Sequence, residues 1–427
     1  MSVAIEKIDD LLPDDISIAA CIRNVSADDS SEVPTNQFES PKPSPTGSPR
    51  PGFAGVPAKP AVYACLTATG CPIVVATTAN LRRALQSRLL SQPATTARAN
   101  YAEITDTVRY RRVGSAFAAS WWYYRTVRSL FPDRYRAMLA WRPAWFVTVN
   151  PETEFPRFQI SNAVAHPMAS GTICVGPLLT RRNAKAIVES IEGLFDLCRY
   201  YEILRQAPLG HACAYKQLGK CPAPCDGTIS MTEYRMQVLQ AAGFLSDAYG
   251  TRMQWCQRQE SLMCEAASKL DFRLAAMLKR KLDQADALIA DKLTEVHRMD
   301  NWKYLILQRG KTRQWIAPFV ALPGRIVSLP EVHYLLAADS LRSWMEVCNQ
   351  SQPGPGPIAE FPVEEIATLV TYHNYRANDA GLYIPMDGHL TADSILQAIN
   401  IWLNYKGNYE IAEINSTKQV ASEDPCQ

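Results

Sequence analysis

An α+β fold divided among several domains is predicted for this chain, and three observations support it. The 427 residues are 47% hydrophobic and 20% charged, which is typical of globular proteins and leaves room for about three domains. Short β-rich runs, AVYACLT and PIVVATT, are followed by the helical run NLRRALQSRLL. A helical pattern over residues 230–295 then gives way to a three-strand meander. The grouping of strands and helices favours α+β over a strictly alternating fold.

Overall charge and the amino-terminal sequence exclude several classes of protein. The net charge is only +2 and the isoelectric point is about 7.9, so any nucleic-acid binding has to come from local patches. The start MSVAIEKIDD carries acids where a secretory signal would be basic and apolar, and the sequence has no apolar run of about 18 residues. We therefore expect a cytoplasmic protein with no membrane contact.

The first 59 residues are predicted to be a disordered tail. From Cys21 to Lys59 the sequence is rich in Ser, Pro, Asp and Thr, with PKPSPTGSPRPG at its centre. Such a composition buries too little apolar surface to offset the entropy lost on ordering.

Residues 60–150 are expected to form the first ordered domain. Its predicted elements are a hairpin turning at Thr69-Gly70-Cys71, a helix with Asn80 as its N-cap, a strand over 104–113, and a helix from Ser115 to Leu130 that Pro132 ends.

The remaining chain is predicted to mix strands, helices and one compact loop. In order, we expect two strands in AWFVTVN and RFQISN, a helix over 181–206, a loop in HACAYKQLGKCPAPCDG, helices over 230–295 with a break near Lys269-Leu270-Asp271, a meander in YLILQRG, QWIAPFVAL and RIVSL, a linker over 351–357, and a final helix in SILQAINIWLNY with Thr391 or Asp393 as its cap.

The most specific motif is a set of four cysteines, Cys198, Cys213, Cys221 and Cys225. CPAPC places two thiols on a loop stiffened by proline, and soft thiolates suit an iron–sulfur cluster or structural zinc. The alternative is that they are buried and inert, the usual state of a free cysteine. Because this loop is poor in apolar residues, we expect a bound metal to stabilise it.

The segments CVGPLLTRRNAKAIVESIEGLFDLC and CAYKQLGKCPAPCDGTISMTEY resemble the UvrC family of excinuclease proteins. The matching order is a Gly-Pro, a helix, two cysteines, a Cys/Cys pair, Gly, Ile-Ser and Glu-Tyr; here these residues are Gly176, Pro177, Cys198, Cys213, Cys221, Cys225, Gly227, Ile229, Ser230, Glu233 and Tyr234. The resemblance implies a 4Fe-4S cluster at the four cysteines, with zinc as the alternative. It also implies a role in nucleotide excision repair, with DNA as a partner.

The run MCEAASKLDFRLAAMLKRKLDQADAL resembles the UVR motif, a helical hairpin with which UvrC proteins bind the excinuclease protein UvrB. Phe272, Ala275 and Ala276 are the candidate partner-binding residues, because small residues beside an aromatic one allow helices to approach closely. An ordinary amphipathic hairpin packed on its own protein would show the same periodicity. This chain has Arg273, Lys279 and Arg280 where the motif usually has an acid and an Arg-Asp pair, which alters partner choice.

The segment PAVYACLTATGCPIVVATTANLRRAL lies where the family carries a GIY-YIG nuclease domain. That resemblance assigns Tyr63 and Arg82 as the retained catalytic positions, one to activate water and one to steady phosphate charge. Val74, Ala76 and Thr77 replace the second tyrosine, the glycine and the lysine of the family pattern.

The helix expected to present the metal-binding glutamate of that nuclease lacks one. Tyr123 stands in its place, the span from Ser115 to Leu130 has no acid, and the asparagine expected after it is replaced near Arg136. Without a carboxylate a hard divalent cation has no anchor. We therefore expect a pseudonuclease, with Mg²⁺ or Mn²⁺ relevant only if the site is active.

Arginines and aromatic residues are interleaved in this region, a pattern that can grip phosphates and stack on unpaired bases. Some of Trp121, Trp122, Tyr123 and Tyr124 must also form core, because the helix needs an apolar face. The candidate nucleic-acid-binding residues are Arg109, Arg111, Arg112, Arg125 and Arg128.

The resemblance implies a domain layout and covers roughly residues 60–293. The expected parts are a small GIY-YIG-like three-layer domain (60–150), a cysteine-cluster region (151–229), a UVR-like helical hairpin (230–297), a small β-meander (298–350), and a linker with a mixed α/β carboxyl-terminal segment (351–427). The second nuclease and helix-hairpin-helix motifs of the family do not fit in the remaining sequence.

Three functional hypotheses remain open. The first is a non-catalytic UvrC-like repair protein that binds DNA, a partner, or both. The second is an active metal-dependent endonuclease that incises damaged DNA with an acid from elsewhere, such as Glu103 or Asp106. The third is an iron–sulfur or zinc structural module that does not act on DNA.

Overall fold

A computed structural model of the chain describes the following residues: 7–17, 53–89, 101–164, 171–247, 250–293, 296–310, 312, 314–333, 336–349, 360–375, 381–386 and 391–404. These residues form a mixed α+β structure with three antiparallel sheets. None of the described helices is long and apolar enough to cross a membrane.

The first sheet has the strand order β1-β4-β2-β3. Its strands and associated helices are α1 (Ile8–Leu11), β1 (Asp14–Ser17), β2 (Ala61–Leu66), β3 (Pro72–Thr78), α2 (Leu81–Leu89), α3 (Tyr101–Ile104), β4 (Thr107–Arg112), α4 (Ala116–Leu130) and α5 (Tyr135–Met138). Strand β2 is buried along its whole length, because α4 packs on one face of this sheet and α2 on the other. The predicted hairpin is confirmed by the antiparallel pairing of β2 with β3.

Local sequence signals fix the ends of the helices around this sheet. The Asn80 side chain accepts a hydrogen bond from Arg83 N at 3.0 Å, and Ser115 caps α4 by accepting from Ala118 N at 3.1 Å. Both residues satisfy backbone donors that the first helical turn leaves unpaired.

The predicted disordered tail is wrong for residues 7–17 and 53–59. Leu11, Leu12 and Phe53 are fully buried, and Val56 is nearly so. These apolar residues anchor their segments despite the polar composition around them. The rest of that predicted tail, residues 1–6 and 18–52, lies outside the described residues.

The second sheet, β6-β5-β7-β8, carries the cysteine loop and the helical region. Its elements are β5 (Trp145–Val149), β6 (Gln159–Ser161), β7 (Ile173–Leu178), α6 (Arg181–Leu194), α7 (Tyr201–Leu204), α8 (Ala214–Gln217), a single 3₁₀ turn (Pro224–Asp226), α9 (Met231–Ser246), α10 (Thr251–Ser268), α11 (Phe272–Leu288), a wide turn (Ile289–Leu293) and β8 (His297–Arg298). The predicted break between α10 and α11 is present, and Leu270 there has a φ of 58°.

The predicted helix over 181–206 is wrong at its centre. Helix α6 ends at Leu194, and Asp196 has a left-handed φ of 52°, which turns the chain away from the helix axis. The turn brings Cys198 against α9, where its backbone N–H donates to the Tyr234 hydroxyl at 3.2 Å.

The third sheet confirms the predicted meander and extends it by two strands. Its order is β11-β10-β9-β13, with β12 paired to β10. The elements are β9 (Tyr304–Arg309), β10 (Trp315–Leu322), β11 (Arg325–Ser328), β12 (Val332–His333), α12 (Ala337–Asn349), α13 (Val363–Asn374), β13 (Leu382–Pro385) and α14 (Ala392–Asn404). The Thr391 side chain accepts from Ser394 N at 3.2 Å, as a cap of α14 does, while the predicted linker over 351–357 lies outside the described residues.

One hydrophobic core joins the first and third sheets. Helix α4 contributes Phe117, Trp121 and Tyr124 to it, and the third sheet contributes Phe319 from β10. Helix α13 adds Ile366 and neighbouring apolar residues to the same core. The carboxyl-terminal region therefore packs directly on the helix that the sequence assigns to the nuclease-like domain.

Candidate nucleic-acid interface and cysteine cluster

Tyr63, the retained tyrosine of the nuclease-like strand, lies inside the first sheet. It is 2% exposed and packs with Leu81 and Leu85 of α2. Burial raises the pKa of its phenol, and the nearby Arg88 guanidinium only partly opposes this. A phenol in this environment is poorly placed to take a proton from water.

Arg82, the retained arginine, is held by backbone carbonyls. Its Nε donates to Val56 O at 2.7 Å and one terminal nitrogen donates to Ala54 O at 3.0 Å. These bonds fasten the 53–56 turn to α2. Two of the three guanidinium nitrogens of Arg82 therefore already donate hydrogen bonds within the fold.

Strands β2 and β3 hold the positions at which this sequence departs from the pattern of the nuclease family. Tyr63 lies directly opposite Ala76, and Val74 lies opposite Cys65. The sheet therefore places valine at the position of the second tyrosine, opposite Cys65, and alanine at the position of the glycine, opposite Tyr63.

Helix α4 uses its aromatic residues partly as core, as the sequence predicts. Trp121 and Tyr124 are each 1% exposed, whereas Trp122 and Tyr123 are half-buried. The Tyr123 hydroxyl, at the place expected for the metal-binding glutamate, donates to Met138 O at 3.2 Å. It offers no charge for a divalent cation.

A carboxylate that the sequence did not indicate lies beside α4. Glu365 of α13 accepts hydrogen bonds from the Tyr124 hydroxyl at 2.5 Å, the Tyr135 hydroxyl at 2.8 Å and Arg136 Nε at 2.9 Å. Its side chain is 11% exposed. Burial and the Glu365 charge raise the pKa of both tyrosines, so the hydroxyls remain donors. Three donors thus already satisfy this carboxylate.

Glu103 and Asp106, the alternative acids considered from sequence, lie on the surface. The Asp106 carboxylate accepts from the Thr107 hydroxyl at 2.9 Å. Tyr63, by contrast, is buried under α2, so the exposed acids and the phenol do not share an open site.

Two of the five candidate nucleic-acid-binding arginines contact the amino-terminal segment. Arg109 forms an ion pair with Asp9 at 3.0 Å. Arg111 donates to the carbonyls of Leu11 and Asp10, both at 2.6 Å, and its guanidinium lies 3.8 Å from the centre of the Trp122 ring. Burial lowers the pKa of Arg111, and the charge of Asp14 opposes that shift.

The other three candidate arginines differ in exposure. Arg125 lies 4.7 Å from the Trp122 ring centre, and burial lowers its pKa. Arg128 lies 4.8 Å from the ring of Phe361 and donates to the Tyr124 hydroxyl at 3.3 Å. Arg112 is exposed. The prediction that these arginines bind nucleic acid stays a prediction, and several of them also hold the fold together.

The cysteine loop brings two of its thiols into contact. The interaction between the Cys198 and Cys221 thiols lowers the pKa of Cys221 and raises that of Cys198, and the Cys198 thiol itself donates to Tyr200 O at 3.5 Å. The Cys225 thiol, whose pKa burial raises, is near enough for its charge to act on Cys198. Because its pKa is lowered, Cys221 is the thiol of the loop best stabilised as a thiolate, the form that binds metals.

Backbone geometry holds the loop in shape. Ala223, between the paired cysteines, has a left-handed φ of 57°, and Gly210 N donates to Cys225 O at 2.8 Å. Lys216 pairs with Asp226 at 2.6 Å and also donates to the Thr228 hydroxyl. These polar contacts hold the exposed part of the loop, whereas Cys221, Ala223 and Cys225 are buried.

The donor chemistry of the loop fits a thiophilic metal, but the four thiols do not meet at one point. No group of three or more His, Cys, Asp or Glu side chains in the described part of the chain has the geometry to hold a metal ion. Cys213 is half-buried at the start of α8, apart from the contact between Cys198 and Cys221. Ligation by all four cysteines therefore requires the loop to close further.

An open cleft of about 450 Å³ lies beside the cysteine loop. Its walls come from α6, the loop, α9, α10 and α11, and the ion pair between Lys281 and Asp196 at 2.6 Å spans it. Trp255 and the amides of Gln237, Gln240 and Gln259 also line it. The cleft links the cysteine loop to the base of the helical hairpin.

The hairpin of α10 and α11 exposes an apolar tip. Phe272 is 66% exposed and Leu270 is 73% exposed. Leu274, Met277 and Leu262 are also exposed. Of the other two candidate partner-binding residues, Ala275 is half-buried and Ala276 is exposed.

Comparison with known proteins identifies the central part of the chain. Residues 143–244, which hold β5 to β7, α6, the cysteine loop and most of α9, match the family model of the UvrC/Cho excinuclease middle domain. Curated relatives named UvrABC system protein C include one from Moorella thermoacetica, 26% identical over 54% of this chain and 36% of its own. Another, from Salinispora arenicola, is 28% identical over 55% of this chain and 35% of its own. A third, from Syntrophotalea carbinolica, is 30% identical over 31% of this chain and 21% of its own.

The chain thus spans only about a third of the length of the first two of these relatives. No solved structure matches it.

Proposed function

Because residues 143–244 match the family model of the UvrC/Cho excinuclease middle domain, we propose that the chain is a UvrC-like protein of nucleotide excision repair. In this proposal it binds DNA, a repair partner, or both, and does not cut DNA itself. Relatives named UvrABC system protein C support the repair class. These relatives are longer than this chain, and a shared repair role is part of the proposal.

One observation supports the non-catalytic part of the proposal. Each candidate nuclease residue is either buried or hydrogen-bonded within the fold. Tyr63 is buried, Arg82 donates to the carbonyls of residues 54 and 56, and Tyr123 donates to Met138 O. A nuclease needs a phenol or base open to water and a carboxylate open to metal. Helix α4 has neither, and the carboxylate beside it, that of Glu365, already accepts three hydrogen bonds.

The apolar hairpin tip supports partner binding. A tip that exposes Phe272 and Leu270 is a candidate protein interface, because isolated apolar side chains gain free energy when a partner covers them. Arg273, Lys279 and Arg280 surround it with exposed positive charge. We propose that the partner is a UvrB-like excinuclease protein, or one with the same helical shape, whose contact face is acidic.

The cysteine set supports a structural metal. We propose that Cys198, Cys213, Cys221 and Cys225 hold a 4Fe-4S cluster, with zinc as the alternative. When bound, such a centre would cross-link a loop with few apolar contacts and so stabilise it. The chain supplies the Cys221 thiol, whose pKa the interaction with Cys198 lowers, and a loop held by Lys216 and Asp226.

A single pair of assays on protein purified without oxygen tests this function. The first measures nicking of plasmid and of a lesion-bearing duplex with Mg²⁺ or Mn²⁺, and the second measures binding to the same DNA across a salt titration. We expect binding that weakens with salt, and no nicking. Nicking that Arg82→Ala removes would overturn the non-catalytic part, and the absence of DNA binding at low salt would leave only the partner-binding role.

A further inference from the structure

The amino-terminal segment, residues 7–17, lies along the most basic strand of the structure. Strand β1 pairs antiparallel with β4, with Asp15 opposite Arg109 and Asp14 opposite Tyr110. Just before β1, helix α1 places Asp9 in an ion pair with Arg109 at 3.0 Å. The segment therefore contacts β4 through both its backbone and its charges.

The charges of the two strands are complementary. Strand β4 has the sequence TVRYRR, with arginines at 109, 111 and 112 and no acid. Segment 7–17 carries four aspartates and a single lysine; the aspartates are Asp9, Asp10, Asp14 and Asp15. An acidic strand beside a basic one cancels the local positive potential that would attract a polyanion.

The surface that the segment borders has the chemistry of a nucleic-acid contact. The Arg111 guanidinium stacks on Trp122 at 3.8 Å, and Arg125 approaches the same ring at 4.7 Å. Arginine beside a half-buried aromatic ring is suited to phosphates and unpaired bases. Arg109 keeps 27% of its side chain exposed on the Trp122 face of the sheet, and Arg112 is exposed on the opposite face, so each can reach an external anion at the edge where β1 lies.

We propose that the acidic segment 7–17 masks the β4 arginines from nucleic-acid phosphates, because its aspartates compete with the phosphates for these arginines. This inference rests on the proposed DNA binding and names the surface that performs it. Leu11 and Leu12 are fully buried, so the segment stays anchored. The masking is therefore electrostatic and needs no release of the segment.

The test neutralises the acids without removing the anchor. The variant carries four substitutions: Asp9→Asn, Asp10→Asn, Asp14→Asn and Asp15→Asn. A matched control removes four exposed acids remote in sequence from this segment and so makes the same change in net charge: Glu152→Gln, Glu154→Gln, Glu189→Gln and Glu202→Gln. Affinity for a short fluorescein-labelled duplex is measured by anisotropy between about 50 and 200 mM salt, and circular dichroism confirms the fold of each variant.

We expect the segment variant to bind DNA ~10-fold or more tightly than wild type at the low-salt end. Each added phosphate contact contributes about 0.9 to the slope of log affinity against log salt, so two freed arginines steepen it by about 2. Adding Arg109→Gln and Arg112→Gln to the variant returns both quantities to the wild-type value. The control changes neither by a comparable amount.

Three results would overturn the inference. Equal gains in the segment variant and the control would show an effect of net charge alone, with the proposed DNA binding intact. A gain that survives Arg109→Gln and Arg112→Gln would place the DNA elsewhere on the protein. No binding by wild type or any variant at low salt would overturn the masking and the proposed DNA binding together.

Discussion

The Glu365 carboxylate accepts a hydrogen bond from the Tyr124 hydroxyl at 2.5 Å, across 241 residues of sequence. This contact joins helix α13 to α4, the helix that the sequence assigns to a nuclease-like domain. Tyr135 and Arg136 complete the group around the same carboxylate. The arrangement forms a polar link between two parts of the fold.

Glu365→Gln should destabilise the protein by about 1–3 kcal/mol, because hydrogen bonds to a buried charged acceptor are stronger than those to a neutral amide. Urea unfolding followed by tryptophan fluorescence measures the change. Glu364→Gln, at the adjacent position on α13, is the matched control and should change stability by less than about 0.5 kcal/mol. Equal effects at the two positions would mean that the Tyr124 contact contributes no special stability.

The half-buried Glu192 makes stability depend on pH. Burial raises the pKa of its carboxyl from 4.5 to about 7, with the Arg199 charge opposing and the Glu189 charge adding to the shift. A raised folded-state pKa gives stability that is present below about pH 4.5 and is lost as pH rises through 7.

Glu192→Gln should therefore raise stability only slightly near pH 5 and by about 1–2 kcal/mol at pH 8, after allowing for partial solvent exposure. Thermal unfolding at the two pH values measures this. Glu202→Gln, whose side chain is 80% exposed, should show no such difference between pH values. A gain for Glu192→Gln at pH 5 as large as that at pH 8 would contradict the assignment.

Cys221→Ser should lower the metal content of anaerobically purified protein to a small fraction of the wild-type value, because it removes the thiolate best stabilised by its surroundings. Elemental analysis for iron and zinc, with the visible absorption spectrum, measures the loss and identifies the metal. Cys71→Ser, at an exposed cysteine outside the loop, should retain full content. Wild-type metal content in the Cys221 variant, or no metal in wild type, would contradict a metal site here.

Phe272→Ala should weaken binding to a purified UvrB-like protein by about 10-fold or more while changing unfolding free energy by less than about 0.5 kcal/mol, since its side chain is 66% exposed. Calorimetry measures the affinity and thermal unfolding the stability. Leu239→Ala, at a 41% exposed apolar residue of α9, is the control and should bind normally. A large loss of stability without loss of binding would assign Phe272 to the fold instead.

Local features of the structure follow from the sequence, whereas its long-range contacts do not. The β2–β3 hairpin, the Ser115 cap and the break before Phe272 all arise from neighbouring residues, so turn and capping rules find them. The β1 strand was missed because a four-residue segment with two aspartates has no strand pattern of its own and exists through pairing with β4. Helix α6 ends early because Asp196 adopts a left-handed φ, and since this residue is not a glycine the sequence does not indicate the turn.

The candidate site also combines local features that the sequence predicts with long-range contacts that it does not. Sequence identified Tyr63, Arg82 and the absence of an acid in α4, because a motif needs only the order of residues. It gave no sign that Val56 O and Ala54 O would bind Arg82, or that Glu365 would reach Tyr124. Those contacts depend on how separate segments pack, which no short pattern encodes.

The central claim is that the nuclease-like part of this chain no longer cuts DNA. The most direct measurement is the rate of nicking of lesion-bearing plasmid by wild type, Tyr63→Phe and Arg82→Ala, with Mg²⁺ or Mn²⁺ in excess. We expect all three to nick no faster than a protein-free control, while Arg82→Ala loses about 1–2 kcal/mol of stability with its two carbonyl contacts. Metal-dependent nicking by wild type that either substitution abolishes would contradict the claim and identify a working endonuclease.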